Sequence, residues 1–333
     1  MPGYGSVFSD ETRTHLSIRE VELSSEAYRH YKRTITLFDE YLCRINHTEK
    51  KIIESVVEGW IKEVSADISV NTSSLHVHYI RQLLLYLTGC GHPCFIPRAI
   101  RTRNTYVPYF YSDKDIEQIF KAADSLTVSQ ASKNIFIEKE MPLILRLLFC
   151  CGLRVGETLN IKVGDVDFKR NLIILRVTKK YKQRAVPYGE ELSEIIYRYC
   201  AGMGILNDSE SYMFPAEDKY SHVSANSVGN YYRAIREKAE ICSKYSTGNG
   251  RGTCLHCFRH SFAVRSFDKN GHNGIKASES VPFLSNNLGM TAFMKTEKYL
   301  KYCGDYFEDT LTKFTAFSGD LFPEVNFDEY EED

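Results

Sequence analysis

Apolar residues recur at three- and four-residue spacing over 25–46 (SEAYRHYKRTITLFDEYLCRIN), 49–64 and 73–88 (SSLHVHYIRQLLLYLT). That period predicts amphipathic helices, so the first hundred residues read as a small helical bundle. The stretch HPCFIPRAIRTRNTYVPYF then carries Pro93, Pro97 and Pro108 among Arg98, Arg101 and Arg103, the composition of an extended basic linker. Beyond it, SDKDIEQIFKAAD predicts a helix capped by Asp113, with Ile116, Ile119, Phe120 and Ala123 inward. EKEMPLILRLLFCC predicts a second helix ending at Gly152, a residue that tolerates the left-handed conformation common at helix termini. NLIILRVTKKYKQRAVPY holds two β-rich runs around a charged turn and predicts a hairpin. Helical patterns resume in ANSVGNYYRAIREKAEIC, CLHCFRHSFAVRSF and TAFMKTEKYLKY.

The expected architecture is mainly α with a small β-sheet, divided into a helical domain over 1–91, a linker over 92–111, a larger domain over 112–303 and a terminal segment over 304–333. A length of 333 residues suits two domains. With 43% hydrophobic and 26% charged residues, and no apolar run near the roughly 20 residues a membrane helix needs, the chain reads as neither disordered nor membrane-spanning. The N-terminus lacks the charged-then-apolar pattern of a secretory signal, so a cytoplasmic location and reduced cysteines are expected.

Charge changes the picture once its distribution is considered. The formal charge is −1, but the last fourteen residues hold seven carboxylates and no lysine or arginine, and without them the charge is +6. A basic body with an acidic tail is compatible with a polyanionic partner.

Several segments carry candidate chemistry. In CGLRVGETL, Arg154 follows a glycine break and opens a new helix with Glu157 one turn on, a setting that favours an anion. A surface ion pair between the two is the plainer reading. In VTKKYKQRAVP, Lys179 lies at the strand turn with Lys180, Lys182 and Arg184, a basic tip able to reach into a groove, or an ordinary solvated turn. In LHCFRHSFAV, His256 and Arg259 are three apart and share a helix face. Cys254 and Cys257 surround His256, with His260 close by, and Cys90 and Cys94 flank His92. Zinc is the weaker reading, because the two pairs are far apart in sequence and the first continues into an amphipathic helix.

GLRVGE, TKKYKQRAVP, HCFRHSFA and LGMTAFMKTEKYL, in that order over roughly 112–303, closely resemble the tyrosine recombinases, the phage-type integrases. The resemblance implies an N-terminal SAM-like core-DNA-binding domain and an α+β catalytic domain. It implies Arg154 and Arg259 as an arginine pair on the scissile phosphate, Lys179 as hairpin lysine, His256 as first histidine and Tyr299 as nucleophile. Glu157 would support this set, and Arg98, Arg101, Arg103, Lys180, Lys182 and Arg184 would contact DNA.

The implied reaction cuts and rejoins DNA through a 3′-phosphotyrosine, as in integration, excision or transposition of a mobile element, with no metal, ATP or other cofactor. Two guanidiniums suit the charge that builds on the phosphate oxygens. His256 would take the phenol's proton, and Lys179 would protonate the leaving 5′-oxygen. The implied partners are double-stranded DNA and three further copies of the chain on synapsed sites. Phe314, Phe317, Leu321 and Phe322 would form a docking patch in the terminal segment.

Two departures stand out. Met290, nine residues before Tyr299, occupies the position where the family usually has a second histidine, and methionine cannot donate to phosphate. An active but slower enzyme is expected. The interval from Arg259 to Tyr299 is longer than usual, and FDKNGHNGIKASESV reads as an inserted loop. The rival functions are a DNA-binding accessory protein that has lost catalysis, which Met290 favours, and a type IB topoisomerase, which the small N-terminal domain disfavours.

Overall fold

The computed structural model describes residues 4–102, 108–128, 136–176, 183–218, 220–241, 252–290 and 292–303. They fall into two compact units, one within residues 1–104 and one within 105–325.

The first unit is helical: α1 (Ser9–Glu22), α2 (Ser25–Arg44), α3 (Glu54–Val64) and α4 (Val70–Gly89). The hydroxyls of Ser24 and Ser69 cap α2 and α4 by accepting from Ala27 and Thr72 N–H groups. Phe8, Tyr31, Ile35, Phe38, Leu42, Trp60, Ile80 and Leu84 fill the core. The helix expected from residue 49 begins only at Glu54, because Ile52 is in extended pairing with Cys94. Its N–H donates to Pro93 O, and its carbonyl accepts from Phe95 N–H.

The expected linker is therefore shorter than 92–111. Phe95 and Ile96 pack on this core, Arg81 donates to Pro97 O and Ser74 to Ile100 O. At the other end Tyr111 is buried in the second unit. The prolines remove backbone donors, and the apolar residues between them still find a core to cover.

The second unit contains α5 (Asp113–Asp124), α6 (Ile137–Cys151), α7 (Val155–Leu159), β1 (Val166–Asp167), β2 (Leu172–Leu175), β3 (Arg184–Pro187), α8 (Glu190–Gly202), α9 (Ala225–Lys238), α10 (His256–His272), α11 (Ala277–Leu288) and α12 (Phe293–Glu297). A 3₁₀ turn covers Leu300–Tyr302. The expected hairpin is present and gains β1, giving an antiparallel sheet of order β1-β2-β3 with Ile173 opposite Val186 and Leu175 opposite Arg184. The apolar face of α6, including Met141, Ile144, Leu145 and Leu148, lies in the core with Ile173, Val186, Ile196, Ile235 and Phe258.

Three local expectations change. Ser112, not Asp113, caps α5 in a reciprocal box with Asp115, and the Asp113 carboxylate instead pairs with Arg265 on α10. The segment 267–281 is not a loop: it holds the end of α10, a turn, and the start of α11. The helix expected over 291–302 is the short α12 followed by the 3₁₀ turn. Gly152 does end α6 in the left-handed region at φ 64°, and a Cβ there would lie 2.3 Å from the Phe262 ring. The glycine therefore serves both the turn and the close approach of α10.

Among the described residues no helix is long and apolar enough to cross a membrane.

Candidate active site

The site begins at the break after α6. The left-handed Gly152 turns the chain, Leu153 is buried, and Arg154 precedes α7 in an extended conformation with about a third of its side chain exposed. Glu157, one turn later, is buried and accepts four N–H groups. Two come from Arg154, its backbone N–H and Nη1, each at 2.9 Å, and two from the terminal nitrogens of Arg184, at 3.0 and 2.9 Å. Burial alone would raise the Glu157 pKa, but the hydrogen bonds and charge of Arg184 and the backbone N–H of Arg154 bring it down to about 2.

This overturns the expectation for Arg184. It begins β3 facing inward, its side chain is only 5% exposed, and its Nε donates to Asn287 O at the end of α11. It is no part of an exposed basic tip, because a buried guanidinium with a bidentate carboxylate is already satisfied. Gly289, left-handed at φ 61°, leaves room for it: a Cβ there would sit 2.6 Å from Arg184 Nη1.

The first turns of α10 supply the other half. Arg259 is 1% exposed and donates to Gly152 O at 2.7 Å and to Leu288 O. Burial first, then the like charge of Arg154, pulls its pKa down to about 9, so it remains a cation at neutral pH. Two of its five N–H donors are spent on carbonyls, which aim the guanidinium plane. His256 opens the helix and is exposed, yet the protein packed around it, together with Arg259 and Arg154, lowers its pKa to about 4. Its ring lies edge-on to His260, centroids 4.5 Å apart.

Tyr299 sits between α12 and the 3₁₀ turn, 6% exposed, in a cluster with Leu284, Leu288 and Leu300. Burial raises its pKa, while the charges of Arg259 and Arg154 act in the opposite sense. Its hydroxyl lies 2.8 Å from His260 Nδ1, so the histidine that meets this phenol is His260, with His256 one turn away on the same helix. His260 was legible only as the residue after Arg259 and one turn from His256. Tyr302 packs on Phe110, centroids 4.9 Å apart.

Met290 packs against the same cluster as Tyr299, and its sulfur accepts from Thr296 Oγ1 at 3.2 Å. The Thr296 hydroxyl in turn accepts from Ser285 at 2.7 Å. Position 290 thus offers an apolar contact where imidazole would offer a donor. Met290→His is expected to speed single-turnover DNA cleavage by roughly tenfold, since a transition-state donor is worth that or more. A rate equal to the unaltered chain would show that packing suffices there.

Folding thus brings Arg154, Glu157, Arg259, His256 and Tyr299 together and adds Arg184 and His260. Arg98 and Arg101 are exposed in the first unit. Lys179, Lys180, Lys182, Arg103 and the terminal segment with Phe314, Phe317, Leu321 and Phe322 lie outside the described residues. Cys254 and Cys257 Sγ are 3.6 Å apart, and among the described residues no group of three or more His, Cys, Asp or Glu side chains could hold a metal ion.

Residues 110–270 match the model of the phage integrase family. A tyrosine recombinase of Pseudothermotoga lettingae is 31% identical over 258 residues, covering 72% of this chain and 85% of that protein. Tyrosine recombinase XerA of Thermococcus onnurineus is 29% identical over 199 residues, covering 59% of this chain and 64% of that protein, less than two thirds of its length. Among solved structures, the Tn1549 transposon integrase in complex with transposon right end DNA superposes with a TM-score of 0.64 at 13% identity, covering 94% of this chain and all of that one. A lambda integrase dimer bound to a core site gives 0.63 at 15% identity, covering 86% and 92%, and at such identities the likeness speaks for the fold. With the sequence match extending across most of the Pseudothermotoga protein and the helical units agreeing in fold, the chain belongs to the tyrosine recombinase family.

Proposed function

We propose that this chain is a site-specific DNA recombinase in which Tyr299 attacks a scissile phosphodiester and forms a 3′-phosphotyrosine. The observation that carries the reading is the single cluster of Tyr299, Arg259 and Arg154, built from α7, α10 and the turn after α12. In the reaction the phenolic oxygen bonds to phosphorus as the bond to the 5′-oxygen breaks. The guanidiniums of Arg154 and Arg259 neutralise the charge gathering on the non-bridging oxygens. The neutral His256, exposed beside both arginines, would take the phenol's proton as attack occurs and, so protonated, donate an N–H to the same oxygens. Lys179 would protonate the 5′-oxygen as it leaves. The phosphotyrosine keeps the ester's energy, so a second 5′-hydroxyl can reverse the step without ATP.

The substrate would be double-stranded DNA, with four copies of the chain on synapsed sites and the terminal segment docking between them. Integration, excision or transposition of a mobile element fits best, since the fold is shared with a transposon integrase and with lambda integrase. Arg98, Arg101, Arg103, Lys180 and Lys182 would contact backbone phosphates, so association should weaken as salt rises.

The test is a nicked suicide duplex carrying the inverted repeats found beside the coding region. A covalent protein–DNA adduct that resists denaturant is expected. Salt-sensitive retention with no adduct would make the chain an accessory DNA-binding protein instead.

A further inference from the structure

We propose that His260 is the positioning residue for the nucleophile: through Nδ1 it anchors the phenolic oxygen of Tyr299 against the arginine cluster. This rests on the reading of Tyr299 as the attacking group. The two side chains are 8% and 6% exposed and their polar atoms lie 2.8 Å apart, so the contact is shielded from competing water.

Tyr299 needs such an anchor because of where it sits. It follows the five-residue α12 and opens a three-residue 3₁₀ turn, elements too short to fix a side chain by backbone regularity. The apolar cluster around it holds the ring but offers nothing directional to the oxygen. His260, by contrast, stands on a seventeen-residue helix beside Arg259, whose guanidinium is fixed on the carbonyls of Gly152 and Leu288. One rigid element therefore sets both the cation that meets the phosphate and the acceptor that holds the nucleophile, which fixes the distance between them. The His256 ring, edge-on at 4.5 Å, limits how far His260 can swing. Burial, then His256 and Arg259, hold the His260 pKa at about 3, so the ring is neutral and, with its proton on Nε2, accepts from the phenol.

Asparagine offers a test, because its Oδ1 reaches nearly the place of Nδ1 while phenylalanine keeps bulk without an acceptor. In full-length protein, His260→Phe should slow single-turnover adduct formation on the suicide duplex by on the order of a hundredfold while leaving the DNA dissociation constant unchanged. His260→Asn should recover at least tenfold of that loss, about half of it on a logarithmic scale. His260→Phe at the unaltered rate, or a folded His260→Asn as slow as His260→Phe, would overturn the proposal. Independently of any DNA site, nitrogen NMR of the free protein should show a neutral His260 with unprotonated Nδ1 whose shift moves in Tyr299→Phe. An unchanged shift would also overturn it. If the unaltered protein forms no adduct, the recombinase reading fails instead, and the NMR result still judges the hydrogen bond.

Discussion

Tyr299→Phe is expected to reduce covalent adduct formation on the suicide duplex to background while leaving DNA retention intact. The substitution removes only the attacking oxygen. The ring keeps its place among Leu284, Leu288 and Leu300, and the folded state loses one hydrogen bond, to His260, worth about 1 kcal/mol. Tyr302→Phe is the matched control. It is three residues away, but it packs on Phe110 and beneath the Lys301 ammonium, 4.9 Å from its ring centroid. Adduct should persist in Tyr302→Phe. Adduct persisting in Tyr299→Phe would refute the assignment of the nucleophile and the mechanism built on it.

Removing Glu157 should have the largest effect on stability. Its carboxylate is 4% exposed and the Arg184 side chain 5%, so Glu157→Ala would leave a buried guanidinium without its counter-charge, at a cost of about 3–5 kcal/mol. Denaturant unfolding measures this. Cleavage should also fall, because the same carboxylate holds Arg154 by two hydrogen bonds. Replacing Glu157 and Arg184 together by methionine should return much of the stability but not the cleavage rate, since two apolar groups satisfy the burial and neither steadies Arg154. A double variant as unstable as Glu157→Ala would show that the pair matters for more than charge compensation.

The pH dependence has the same origin. Glu157 has a folded pKa of about 2 against an ordinary 4.5, so its contribution is complete above pH 4.5 and is lost as pH falls toward 2. His256 and His260 act in the same sense at higher pH. Their folded values of about 4 and 3 lie below 6.5, so the unfolded chain takes up protons first as pH drops beneath 6.5 and stability declines. Acid unfolding monitored from pH 7 downward should show a decline that begins near 6.5 and steepens below 4.5, and Glu157→Gln should lessen the steeper part, leaving the share of Glu11, which its hydrogen bond to Lys50 also holds at about 2.

The contrast between elements that were legible and those that were not has a physical reason in each case. α2 and α4 announce themselves because Ile35, Phe38, Leu42 and Ile80, Leu83, Leu84, Leu87 each form one stripe toward the core. α1 buries only Thr12, His15 and Leu16, and α11 buries Ser280 and Ser285 beside Val281, Leu284 and Leu288 with Pro282 in its first turns. Their inward faces are partly polar, so no apolar period marks them. Ser285 is satisfied by Thr296, which α11 meets only after the chain has folded back.

The amino-acid order by itself determined the helical character of both units, the break at Gly152 and the hairpin strands, and singled out Arg154, His256, Arg259 and Tyr299 as candidates, because these depend on local periodicity, on a residue's own conformational range and on short motifs. Only the tertiary structure decided which partners those residues keep. Arg184 faces Glu157 rather than solvent, Ser112 rather than Asp113 caps α5, Thr296 holds Met290, and His260 rather than His256 meets the phenol. Apart from the Ser112 cap, an exposed box with Asp115 three residues on, each of these choices is made where a charge or hydroxyl is buried and must be paired, and the partner comes from whichever segment packs against it rather than from a local pattern.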